Sequence, residues 1–114
     1  MENRLTVPTP TMHAEDDPTA FVELESVFHD AVAKAGSGAL LIQSFTDEHE
    51  HSKLATPEYA ALFRAMMNWI TRGQKPSSAA LADRCAEAQK IYGEACHFDP
   101  EFHPPPLAAR VYPR

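Results

Sequence analysis

The sequence predicts an α/β fold: a partial parallel sheet in strand, helix, strand, helix order, followed by one more helix and an extended tail. Three observations carry that expectation. A β-rich run near the start, "RLTVPTPTMH" (Arg4 to His13), and a nearly continuous apolar run, "ALLIQSF" (Ala39 to Phe45), flank a segment whose apolar residues recur every three or four positions. A second and longer helical pattern follows the apolar run. Two strands joined by a helix are parallel and right-handed in nearly every known case.

The prolines of the first run suit a strand that is edge-like or irregular in its first half. It ends in the acidic loop "AEDDPTA". From Phe21, the apolar set Val22, Leu24, Val27, Phe28, Ala31, Val32 and Ala35 marks a helix with one buried face, and "GSG" (Gly36 to Gly38) stops it. The run Ala39 to Phe45 reads as a strand covered on both faces. After the polar stretch "FTDEHEHSK" comes "TPEYAALFRAMMNWITRG", with Thr56 as expected N-cap, Pro57 at the first helical position and Glu58 in the first turn. Tyr59, Leu62, Phe63, Met66, Met67, Trp69 and Ile70 form its apolar stripe. A third helix is expected within Ser77 to Gly93, capped by serine, and the remainder is a proline- and aromatic-rich tail lying over a surface. The organisation is therefore a strand-helix unit over residues 1–76 and an extra helix and tail over 77–114.

Composition bounds the function. The chain has 114 residues, room for one domain with a small core, since about two thirds of the unfolded surface is buried at this size. Its 44% hydrophobic and 23% charged residues are those of an ordinary globular protein. A formal net charge of −6 and scattered Lys and Arg argue against a nucleic-acid partner. No apolar stretch approaches the roughly 18 residues of a membrane span and no signal peptide is evident, which leaves no membrane partner and the cytoplasm as default. Cys85 and Cys96 flank an expected helix end, and a chain reversal at Gly93 would bring them together as a disulfide; two free thiols are the alternative.

In parallel sheets, ligands and catalytic groups collect at the carboxyl ends of the strands. The acidic loop and the histidine loop both fall there, and neighbouring strands are about 4.8 Å apart, so an acid from one can reach an imidazole from the other. A carboxylate so placed fixes the histidine tautomer and stabilises its protonated form. A metal site built from Asp47, His49, His51 and an acid such as Asp17 is a second reading, because an H-x-H pair puts both rings on one side of an extended segment. Plain solvated loops, with Asp16 and Asp17 compensating a helix dipole, are the third.

The ordered set strand, acidic loop, helix, strand, histidine loop and helix resembles the carboxyl-terminal third of an α/β-hydrolase, whose triad runs nucleophile, acid, histidine along the chain. "TVPTPTMHAEDDPTAFVELESVFHDAV" is similar to its penultimate strand and acid loop, and "LLIQSFTDEHEHSKLATPEYAALFRAMMNWI" to its last strand, histidine and last helix, over roughly Leu5 to Ile70. The resemblance implies Asp17 as the acid and His51 as the base. The small residue usual before each is replaced by Asp16 and Glu50, so Asp16 and His49 stand as alternatives. No G-x-S-x-G elbow is present: Ser26, Ser37, Ser44, Ser52, Ser77 and Ser78 all lack its flanking glycines. The resemblance thus implies ester or amide hydrolysis without a cofactor, with the serine supplied by a chain that carries the preceding part of the fold. Because two strands and three helices leave part of such a sheet uncovered, the isolated chain is expected to be marginally stable, to self-associate or to need that partner.

Overall fold

The computed structural model describes residues 4–50 and 54–107. Strand β1 (Thr9–Ala14) and strand β2 (Leu41–Thr46) form a two-stranded parallel sheet in the register Thr9 opposite Leu41 through Ala14 opposite Thr46. Helix α1 (Glu23–Lys34) connects them through a 3₁₀ turn at Gly38–Leu40. Helices α2 (Thr56–Arg72) and α3 (Ser78–Tyr92) follow and pack against each other. The architecture is mixed α/β, compatible with a partial α/β fold.

Strand alternation sorts the two faces of the sheet. Odd-numbered side chains face α1: His13 meets Glu25, and the Gln43 amide donates to Glu25 O and Oε1 at 2.9 and 3.1 Å. Even-numbered Ala14, Ser44 and Thr46 are buried on the other face, where α2 and α3 pack against the strands. The first part of the expected strand is irregular, and the ladder begins only at Thr9, after Pro8. Just past the end of β1 the backbone of Glu15 donates to Thr46 O, so along the strand odd positions point their peptide groups at β2 and even ones point outward. Pro10, which has no N–H to offer, therefore lies on the outer edge, as a strand proline should.

Helix α1 ends as its composition requires. The chain passes through Ala35 to Gly36, whose φ of 83° only glycine adopts without strain. At α2 the expected cap is displaced by one residue. Ala55 holds the N-cap and Thr56 the first helical position, because the cap is made from inside the helix: Glu58 Oε1 accepts the Ala55 N–H at 2.8 Å. Ser77 caps α3 as expected, its Oγ accepting from Ala80 N at 3.1 Å.

The buried side of α2 is narrower than the apolar stripe. Ala61, Ala65 and Trp69 pack inward with Pro57 and Glu58, while Tyr59, Phe63, Met67 and Ile70 face solvent. Alanine at four-residue intervals lets α3 approach closely with Leu81, Cys85 and Ala88, so the small residues, not the large ones, make the seam.

The segment after α3 is structural. Cys96 is bonded to Cys85, with Cα atoms 5.8 Å apart. Phe98 then forms an antiparallel bridge with Thr46, in which Asp47 N donates to His97 O and Asp99 N to Phe45 O at 2.8 and 2.9 Å. The Phe102 ring packs edge-on to Phe45 at 5.2 Å between centroids. No helix among the described residues is long and apolar enough to cross a membrane.

Candidate functional site

The loops that leave β1 and β2 meet at one end of the sheet, held there by backbone pairing that outlasts the strands. Glu15 N donates to Thr46 O and Asp16 N to Glu48 O, at 2.9 and 3.1 Å. This extension brings the Asp16 carboxylate to His49, whose Nδ1 donates to Asp16 Oδ2 at 2.9 Å. Acid and imidazole from two parallel strands are thus joined, in the alternative pairing of Asp16 with His49. The contact raises the His49 pKa, chiefly through the hydrogen bond, with Asp16, Asp47 and Glu48 adding to it. Both side chains are about 70% exposed, at 73% and 71%. Water therefore screens the pair, and its ring Nε2 is open to solvent chemistry rather than to a closed pocket.

Asp17 is placed differently. It is buried, and its Oδ1 accepts from Thr19 N and Ala20 N at 2.8 and 3.0 Å, fixing the turn that launches α1. Its Oδ2 lies 3.8 Å from His13 Nε2. His51, its expected partner, lies outside the described residues, as does Ser52.

His13 is a half-buried site that the sequence does not announce. Its Nε2 donates to Ala20 O at 2.6 Å and its Nδ1 lies 3.3 Å from Glu25 Oε2. With acceptors at both nitrogens, the ring favours the imidazolium: Glu25 raises its pKa most, burial opposes, and Ala20 O and Asp17 add to the rise. The signal was present as a histidine four residues before Asp17, but sequence spacing across a strand end does not show which way a ring turns.

A third cluster sits where the tail crosses β2. The half-buried Glu15 carboxyl is pushed up to about 7, first by burial, then by a hydrogen bond with Asp99 and the charges of Asp99 and Asp47; His49 opposes the shift. Two carboxyl groups can share a hydrogen bond only if one carries a proton. Glu15 Oε2 is inaccessible to solvent and has no donor among the described residues, which agrees with a group that gains from protonation. His97, from the tail, lies 3.5 Å from Glu48. Asp99 and His97 come from a segment whose prolines and aromatics predict only surface contact, so no sequence pattern marks them as neighbours of Glu15.

The consequence is a pH dependence with a definite sign. A native pKa above the ordinary value of 4.5 means that the folded state holds the proton more tightly than the unfolded one. The stability is complete below about pH 4.5 and is lost as pH rises through 7. Allowing for solvent screening, the loss attributable to Glu15 is about 1 to 2 kcal/mol. His13 and His49, both raised, act in the same direction. Urea unfolding of the chain at pH 5 and pH 8 checks this: Glu15→Gln, which mimics the protonated acid, should flatten the difference. An equal pH slope in wild type and variant would refute the assignment.

Among the described residues, no group of three or more His, Cys, Asp or Glu side chains is placed to hold a metal ion. The metal set drawn from Asp47, His49, His51 and Asp17 includes one residue outside them. No family model matches the chain, and neither a curated protein nor a solved structure matches it.

Proposed function

We propose that the chain is a carboxyl-terminal segment of serine-type α/β-hydrolase architecture, supplying the acid and the histidine of a triad for ester or amide hydrolysis and lacking the nucleophile. The observation that carries the reading is the Asp16 to His49 contact across the carboxyl ends of two parallel strands. In a triad the carboxylate holds Nδ1–H, leaving Nε2 to take the proton of the attacking hydroxyl and return it to the leaving group. His49 has its Nδ1 engaged in that way. The pairing of Asp17 with His51 lies one position further along the first loop and two along the second; Asp17 accepts two backbone N–H bonds, and His51 lies outside the described residues.

Two further features support a partner chain. Among the described residues no strand lies beside the outer edge of β1, and a pairing segment could begin at Met12, beyond the proline. The exposed pair at the strand ends becomes an effective base only when a covering surface removes water from it. The alternative is a small metal-binding or protein-interaction module without catalysis; among the described residues no cluster favours its metal-binding form.

The test is direct. Histidine pKa values followed by NMR in wild type, Asp16→Asn and Asp17→Asn should show His49 falling with Asp16→Asn and His51 falling with Asp17→Asn. If His51 responds to neither and His49 does not respond to Asp16→Asn, no acid and base pair exists here. Against activated short-chain esters the isolated chain should turn over no faster than free imidazole, because nucleophile and oxyanion hole are both missing. An acyl-enzyme burst abolished by Ser52→Ala would overturn the proposal that the serine comes from elsewhere.

A further inference from the structure

The tail reaches the strand ends through one covalent tie and several weak ones. Cys85 is fully buried on the face of α3 that meets α2, so one half of the disulfide belongs to the core. The other half, Cys96, is half-buried, and Glu94 and Ala95 before it are exposed. From there the tail is held by single hydrogen bonds. Cys96 N donates to Gln89 Oε1 at 2.8 Å and His97 N to Glu58 Oε2 at 2.7 Å. His97 O accepts from Asp47 N at 2.8 Å, and Asp99 N donates to Phe45 O at 2.9 Å, before Phe102 packs on Phe45. Fixing the backbone of one residue costs at least as much as one such bond returns. Without the disulfide, residues 96–102 therefore sit near the balance between held and free.

What these residues cover is the strand-end site. The His97 carbonyl holds the Asp47 N–H at the head of the loop that carries His49, and the His97 ring lies 3.5 Å from Glu48 Oε2. Asp99 sets its carboxyl against Glu15 at the end of β1; Asp47 and His49 are the other charged groups that face Glu15. Disulfide, loop bond, bridge to Thr46 and carboxyl contact thus fall on four successive residues, Cys96 to Asp99. There is no slack between the tie and what it holds.

We propose that the Cys85 to Cys96 bond is a redox-operated latch on the strand-end site. Closed, it holds the tail over the loop that carries His49; opened by a reducing dithiol, it lets residues 96–102 leave β2 while the sheet and the three helices stay folded. The opening is thiol exchange. One thiolate of the dithiol attacks the Cys96 sulfur, since Cys85 is shut off from solvent; the S–S bond breaks, and Cys85 leaves as a thiolate that takes up a proton. The second thiol of the dithiol loses its proton and displaces Cys96, which is protonated in turn. Two electrons and two protons pass to the protein, and the dithiol ends as a cyclic disulfide. The latch regulates the site proposed above for the acid and the histidine, but its test reads the tail and Glu15, so it stands or falls separately from the pairing that Asp16→Asn tests.

The experiment compares the whole oxidised chain with the chain reduced by excess dithiothreitol without denaturant, and with Cys96→Ala. A monothiol adduct trapped during reduction should be found on Cys96. In the reduced chain and in Cys96→Ala, the amides of Asp47, His97 and Asp99 should exchange with deuterium within about tenfold of an unstructured peptide, while those of α2 and α3 stay protected at least about a hundredfold. Followed by carbon-13 NMR, the Glu15 carboxyl should titrate below its oxidised value of about 7 once Asp99 has left it. Loss of protection in the helices along with the tail would make the bond a staple of the whole fold and overturn the proposal. Tail amides that stay protected after reduction would overturn it too, because Glu58 and the bridge would then suffice. So would a Glu15 titration that is the same in both redox states, or reduction that proceeds only in denaturant.

Discussion

Replacing Glu58 by alanine is expected to destabilise the fold by about 3 to 4 kcal/mol, more than any exposed acid in the chain. Glu58 is completely buried in the first turn of α2. One oxygen caps the helix at Ala55 N, and the other accepts from His97 N at 2.7 Å, across 39 positions of sequence. Removing the side chain leaves two N–H groups without an acceptor and a gap between the helix and the tail. Each charge-assisted bond is worth roughly 1.5 to 3 kcal/mol, and an orphaned buried donor costs a similar amount, so the two partly overlapping losses give the stated range. Glu58→Gln should recover part of the loss, because its carbonyl oxygen can serve one donor while its NH₂ must oppose the other. Urea midpoints at constant m-value measure both. A loss below about 1 kcal/mol for the alanine variant would mean that the tail is not anchored there.

Breaking the Cys85 to Cys96 bond is expected to cost about 3 kcal/mol, the entropy of a closed loop of about eleven residues. The comparison is Cys96→Ala against wild type, with dithiothreitol-reduced protein as the second arm. Cys96→Ala is preferred to substitution of Cys85, which is fully buried against α2 and would add a cavity or an unpaired hydroxyl to the result. Because the disulfide and Glu58 both tie down the same few residues, the double variant should lose less than the sum of the two single losses. Strict additivity would show the two anchors to be independent. A disulfide of this kind persists in oxidising surroundings, so the fully tied tail is the form of the protein found there.

Much of the fold was legible because periodicity and punctuation agreed. The three helices follow three-residue and four-residue spacing, and Gly36, Gly73 and Gly93 each end one in the left-handed region. The parallel pairing followed from strand, helix, strand order. What was not legible has a common cause. Which side of α2 is buried depends on how closely α3 approaches, and a row of alanines permits a contact that hydrophobicity alone assigns to Tyr59, Phe63 and Met67. The bridge from Phe98 to Thr46 joins residues 52 positions apart. It is produced by a disulfide and by Glu58, not by any strand-like pattern around Phe98. At the strand ends, the meeting of an acidic and a histidine loop was legible. The choice of Asp16 for His49 depends on Asp17 turning inward to hold Thr19 and Ala20, and that is decided by the start of α1 rather than by the loop itself.

The outward row of Tyr59, Phe63, Met67 and Ile70 on α2 gives the molecule a colloidal character at odds with its folding behaviour. With those side chains between 42% and 61% exposed, the row is an association surface, and mutual repulsion from a formal charge of −6 opposes the association. The six histidines are enough to cancel that charge when they are protonated. Mild acid therefore strengthens each molecule through Glu15, His13 and His49 while removing the repulsion between molecules, so the pH at which the chain is hardest to unfold is one at which it is also readiest to precipitate.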